Sequence, residues 1–209
     1  MIYLSPSTQT GNLYNNGKDN ECDVCYDIAE RVSSILKAEN IAVTLGAKHA
    51  SMEERCRESD KVKADYHVCI HTNAGGGSGT RLFHWPGNQN DEVFKRCLSE
   101  VGAVSKGTYD VMVANKTFYE IKNPKAKTIY LELEFHDKYG QFIVDHKQEF
   151  AEAIARGLGA TCNKKKDETV STGKLYAVQV GAFGTREAAL SYAYELKNKY
   201  SLSSIIKEV

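Results

Sequence analysis

The chain has 209 residues, 42% of them hydrophobic and 26% charged, with only three prolines. That composition describes a globular chain able to bury a core, and the length allows one ordinary domain with a small appendage. Its 27 basic residues are cancelled by 27 acidic ones. There is thus no cationic excess to displace counterions from a nucleic acid. No apolar run approaches the roughly 20 residues of a membrane span. The opening Met1-Ile2-Tyr3-Leu4-Ser5-Pro6 has neither the basic nor the apolar region of a secretory leader, so synthesis in the cytoplasm is expected. Six cysteines without a leader read as thiols rather than a disulfide framework.

Ile2-Tyr3-Leu4, stopped by Ser5-Pro6, predicts a first strand. Ser5 to Asn20 is a long polar loop, of the kind that carries function. From Glu21 the period becomes helical: Val24, Cys25, Ile28, Ala29, Val32, Ile35 and Leu36 share one face, with Asn20 as N-cap and Asn40 as terminator. Ile41 to Leu45 reads as a strand. Ser51 and Glu54 form a capping-box pattern before a polar helix running to about Ala64. Tyr66 to His71 is the next strand, and Thr72 to Gly79 the glycine-rich loop at its carboxyl end. Arg81 to Trp85 predicts a strand, Asp91 to Gly102 a helix and Lys127 to Leu133 an apolar strand. Phe142, Ile143, His146, Phe150, Ala153 and Ile154 give one closing amphipathic helix. This alternation predicts an α/β fold, a mostly parallel or mixed sheet flanked by helices on both faces. The domain is expected to span 1–160, followed by a Lys- and Ser/Thr-rich linker over 161–174. Residues 175–209 predict a small β-α-β unit whose helix Thr185 would cap.

Four places carry chemistry. His71 stands at the carboxyl end of a strand, where ligands gather in open α/β sheets. A neutral imidazole there suits a zinc ion, and equally a hydrogen-bonded edge histidine. His67, Cys69 and His71 alternate onto one face, but positions 67 and 71 lie about 13 Å apart at strand rise, so at most one neighbouring pair can share a metal. His67 reads as core. Glu21 opens the first helix, either as a carboxylate ligand or as charge complementing the helix dipole. Cys22 and Cys25 have redox spacing, yet a polar loop stands where an apolar strand should precede them, so they read as buried small hydrophobes. In Tyr130-Leu131-Glu132-Leu133-Glu134 the two carboxylates share a face with Tyr130. That face is either exposed, or it holds a general base with a raised pKa.

Taken in order, these pieces resemble the zinc-dependent N-acetylmuramoyl-L-alanine amidases of the amidase-3 type, found in bacteria and phage endolysins. The resemblance covers residues 1 to 159. It rests on the strand ending in Ser5-Pro6, Asn20-Glu21, Ala64-Asp65-Tyr66 leading to Ile70-His71-Thr72-Asn73-Ala74-Gly75-Gly76-Gly77, and Glu132 ahead of Phe135-His136-Asp137. It implies that Glu21 and His71 hold Zn2+, that Glu132 is the catalytic carboxylate, and that Asn73, Gly75 and Gly76 meet the peptidoglycan substrate. The family's first ligand is a histidine after the first strand, and this chain departs there, reading Ser7-Thr8-Gln9. Gln9 is the expected replacement through its amide oxygen, with Thr8 the alternative by position. An amide oxygen is the weaker zinc donor, so the metal should be loosely held. Tyr176-Ala177-Val178-Gln179-Val180-Gly181-Ala182-Phe183 is similar to half of a SPOR-type peptidoglycan-binding domain. A lone half leaves strand edges uncovered, which implies packing on the amidase domain or a homodimer through this segment. The resemblance implies action on the cell wall after release from the cell. Two other readings compete with a lysin or autolysin: a metal-free wall-binding module that lost the histidine, and a thiol oxidoreductase built on Cys22 and Cys25.

Overall fold

In the computed structural model, β1 (Ile2–Pro6), β2 (Val43–Leu45), β3 (Tyr66–Asn73), β4 (Arg81–His84), β5 (Val111–Ala114) and β6 (Lys127–Phe135) join in one sheet of order β2-β1-β3-β6-β4-β5. The structure describes residues 1–107, 110–162, 183–185, 188–189 and 191–192. The first four strands of that order run parallel, and β4 pairs antiparallel with β6 while β5 follows β4. The sheet is therefore mostly parallel, with a reversed pair at one edge. β1, β3 and β6 present their carboxyl ends side by side, Pro6 opposite Ile70 and His71 opposite Glu132.

Local signals placed the long helices. The Asn20 side chain accepts from the Asp23 N–H to start α1 (Glu21–Ala38), and the full capping box of Ser51 and Glu54 starts α2 (Met52–Lys61). Asp91 caps α3 (Glu92–Gly102). α2 stops short of Ala64 because Lys63 turns into the left-handed region at φ 53°. The expected strand at Ile41 shrinks to three residues, and the one closing helix is two, α5 (His136–Asp145) and α6 (Lys147–Gly157). β5 and the four-residue α4 (Tyr119–Lys122) were not foreseen, being too short to show a period.

The two faces of the sheet differ. Ile2, Leu4, Val68, Ile70, Ile129 and Leu131 pack with Ile28, Val32, Phe94 and Phe150 from α1, α3 and α6 in one apolar core. The opposite face is polar and still buried: Ser5, His67 and His71 lie there beside Arg55 from α2 and Glu120 from α4. Arg55 is 1% exposed. It donates to the carbonyls of Pro6, Ala47 and Lys48. These bonds satisfy the buried Pro6 carbonyl and tie the end of β1, from which Ser7 and Gln9 extend, to the loop before α2. Replacing Arg55 with Met should lower unfolding stability by about 3 kcal/mol or more. Urea titration measures it, and an unchanged midpoint would show that these carbonyls find other donors.

Contacts divide the chain into two compact units, Met1–Lys164 and Lys165–Val209. In the second, Thr185 accepts at its hydroxyl from the Ala188 N–H, the capping expected of it. The two strands of the β-α-β unit expected over 175–209 lie outside the described residues. Among the described residues no helix is long and apolar enough to cross a membrane.

Candidate active site

The β1–α1 loop is ordered by its own polar residues and one buried aromatic. Leu13 bridges Asn20, Tyr14 N–H donates to Asp19 O, and Glu21 N–H donates to Asn12 O at 3.0 Å. The Tyr14 ring stacks on His136, and its hydroxyl lies 3.1 Å from Thr72 Oγ1, which ties the loop to the end of β3. This lays Gln9, Asn12 and Glu21 against His71. His71 Nδ1 lies 2.8 Å from Glu21 Oε1, and the Gln9 amide nitrogen lies 3.5 Å from the same ring nitrogen. Residues 9, 21 and 71, distant along the chain, thus converge at the carboxyl ends of β1 and β3. Thr8, the alternative to Gln9, is half-buried just before it.

Burial works against charge on both partners of the Glu21–His71 pair, and their mutual bond and attraction outweigh it. Glu21 is held below the usual carboxylate range, helped by Asn12 and Ser7, and His71 is raised above the usual imidazole value. The His71 ring also stacks on Tyr130 at 4.6 Å.

Glu132 stands directly opposite His71 in the parallel β3–β6 pairing. It is not on an exposed face. Burial pushes its carboxyl up to about 7, and Oε2 has no partner. His71 Nε2 is likewise buried without a partner. Buried polar atoms are normally satisfied, so these two orphans mark a place for a ligand. The imidazole of His71 and the carboxylate of Glu21 suit zinc, and an amide oxygen from Gln9 would be the weaker third donor.

Glu134 departs from the alternation expected of it. β6 gains a residue between its pairings with His71 and Asn73, which breaks the period of two. Glu134 is fully buried and accepts from the N–H groups of Gly79, Lys106 and Phe135, so it braces the glycine loop. Asn73 belongs to β3 and not the loop, its side chain accepting from Ala74 N–H. The Gly75 and Gly76 N–H groups both donate to Asp137 Oδ2 at 2.7 Å. Both glycines have positive φ with open space around the missing side chain, whereas a Cβ on Gly77 would meet the Phe135 ring at 2.5 Å.

His67 is buried, as expected, and is paired: its Nε2 lies 3.1 Å from Glu120 Oε1, which also accepts from Ser5. With Cys69 these form a second group whose ligand atoms lie within 4.8 Å of one another. Glu120 is already engaged by His67 and Ser5, and the group lies down the strand from His71, enclosed by the sheet and α4. It fits a structural polar cluster better than a place where substrate reacts. Glu120, Asn12 and Ser7 were not singled out in the sequence: Glu120 and Asn12 sit in no motif, and Ser7 was read only as part of the Ser7-Thr8-Gln9 stretch. Cys22 and Cys25 are buried, and burial pushes their thiols up, which removes the redox reading.

The sequence profile of the Amidase_3 family, N-acetylmuramoyl-L-alanine amidase, matches residues 6–160. The chain belongs to this family. It is 24% identical over 210 residues to N-acetylmuramoyl-L-alanine amidase CwlM of Bacillus licheniformis, covering 95% of this chain and 81% of the relative. A sporulation-specific N-acetylmuramoyl-L-alanine amidase of Bacillus subtilis is 29% identical over 191 residues, 86% and 73% of the two chains. The fold matches N-acetylmuramoyl-L-alanine amidase AmiC2 of Nostoc punctiforme at a TM-score of 0.66 with 18% identity, over 75% of this chain and 93% of that one. Within Ser7-Thr8-Gln9, Gln9 is the residue whose side chain approaches His71, through its amide nitrogen.

Proposed function

We propose that this amidase hydrolyses the amide between N-acetylmuramic acid and L-alanine in peptidoglycan with a zinc ion held by Gln9, Glu21 and His71, as a phage-type endolysin or autolysin. One observation carries the reading: a carboxyl unpartnered at Oε2, Glu132, stands abreast of the histidine on which Glu21 and Gln9 converge. When bound, zinc would supply Lewis acidity toward the amide carbonyl and acidify water.

The chain's own residues do the rest. Glu132, with a pKa near neutrality, takes a proton from the attacking water at Oε2. As the carbon–nitrogen bond breaks, the same oxygen returns that proton to the leaving L-alanine nitrogen, and the water oxygen stays on the muramic carboxylate. Glu21 keeps His71 oriented, and Tyr130 packs the ring in place. Asp137 fixes the Gly75-Gly76 turn, so a peptide or glycan meets backbone without side chains in front of it. Its carboxyl is held below the usual range by those amides despite partial burial. Asn73 and this turn are the proposed substrate contacts.

Incubation with purified walls tests the reading. Release of free L-alanine amino groups with loss of turbidity, abolished by chelator and restored by zinc, is the expected result. Wall binding without hydrolysis at any metal loading would instead establish a binding module.

Residues 175–209 are proposed as the wall tether, working as a homodimer. Truncation after Lys164 should leave hydrolysis of soluble muropeptides within about twofold while binding to intact walls weakens tenfold or more, since the tether's effective concentration is lost. Sedimentation with walls and light scattering on both versions check the two parts. Equal wall affinity, or a full-length monomer, would remove the corresponding role.

A further inference from the structure

Asn12 carries no motif and lies outside every residue pair the mechanism uses. It is nevertheless the residue that binds two of the proposed metal ligands at once. Its Nδ2 donates to Glu21 Oε2 at 2.6 Å and to Gln9 Oε1 at 2.8 Å. An approach of 2.6 Å to a carboxylate oxygen requires a donor, so the amide faces Glu21 with its nitrogen, and both its N–H groups are used. The main chain fixes the same residue, because Glu21 N–H donates to Asn12 O. Asn12 is thus held against Glu21 through backbone and side chain together.

Two consequences follow from that fork. Glu21 Oε2 is occupied by Asn12, which leaves Oε1 to face His71, where it also accepts from the Thr72 N–H at 3.4 Å. A carboxylate restrained to one oxygen suits the few, short bonds of zinc, whereas larger oxygen-seeking cations use both. Gln9 is the second. It is an exposed, long side chain that would otherwise sample many rotamers, and the bond from Asn12 keeps it beside His71. The same bond holds the Gln9 oxygen on Asn12 and leaves its nitrogen facing His71, so ligation by Gln9 requires its amide to turn over. Nothing comparable supports Thr8.

Resting on the reading of Gln9, Glu21 and His71 as the metal centre, we propose that Asn12 is its positioning residue: it joins Gln9 to Glu21 and makes Glu21 a one-oxygen ligand, which selects zinc over calcium or manganese.

The test is metal affinity of the full chain, by competition of Zn2+ and Mn2+ against a chromophoric chelator, in the wild type and in Asn12→Ala, Asn12→Asp and His71→Ala. Circular dichroism and thermal melting of the metal-free proteins verify folding. Asn12→Ala is expected to weaken zinc by about 10–100-fold, the usual effect of losing an outer partner of metal ligands. Asn12→Asp keeps the shape, brings a second carboxylate to Glu21 and frees Oε2. It should narrow the preference for zinc over manganese by tenfold or more. Folded variants that hold zinc within threefold of wild type, with the zinc-to-manganese ratio unchanged, would overturn the role of Asn12. That failure is separable from failure of the centre itself. If His71→Ala binds zinc as tightly as wild type, the metal is elsewhere; if only the Asn12 variants are silent, the centre stands and the fork is incidental.

Discussion

Glu132→Gln lowers wall hydrolysis by about 10²–10⁴-fold, the range contributed by a positioned general base, and leaves the zinc content of the protein unchanged. The expectation follows from where the residue stands. Glu132 is opposite His71 in the sheet, half-buried, and unpartnered at Oε2, so its amide analogue fits the same space and loses only the proton-accepting oxygen. The active form of a base is the deprotonated one. With its pKa at about 7, kcat/KM on soluble muropeptides at saturating zinc should therefore fall as pH drops, with a limb centred no higher than about 7. A cation held beside Glu132 would favour its carboxylate and move that limb lower, never higher. Activity within threefold of wild type in Glu132→Gln, or loss of zinc from it, would assign the residue another role. A profile flat from pH 5 to 8 would do the same for the pKa.

His71→Ala should abolish both zinc binding and hydrolysis, a larger loss than any neighbouring substitution. His71 is the point on which the site closes: Glu21 at 2.8 Å and Gln9 at 3.5 Å both address its Nδ1. Without the ring, Glu21 keeps Asn12 and Ser7 but becomes a buried carboxylate lacking its main counter-charge. The expected cost to the fold is about 1–3 kcal/mol, the usual range for an orphaned buried polar group. Zinc affinity should fall well beyond the 10–100-fold expected of outer partners, because a direct ligand is gone. Metal analysis after gel filtration and an unfolding titration read the two effects separately. Stoichiometric zinc in the folded variant would move the metal to another group, and His67 with Cys69 and Glu120 would then be the place to look.

Much of this was legible in the chain before any coordinates. Alternating apolar segments determined a sheet covered by helices, because burial imposes a period of two on strands and 3.6 on helices. Asn20, Ser51 and Asp91 announced their helix starts, since capping is a local bond between a side chain and an amide three residues or fewer away. His71 at a strand end, Glu132 in an apolar strand and the glycine run between them were visible for the same reason: each is a short, contiguous pattern. The tertiary structure decided what contiguity cannot express. Glu21 meets His71 across 50 residues, and His71 meets Glu132 only through the pairing of β3 with β6. Glu120 rides on a helix of four residues, too brief for any periodicity, yet it receives the one histidine that had read as plain core. Glu134 left the face that its spacing assigned to it because an extra residue in β6 turned the strand. Asn12 became the link between two ligands once the loop folded back on the start of α1. Sequence periodicity reports which side of an element is buried; only the packed chain determines which buried polar groups share the space.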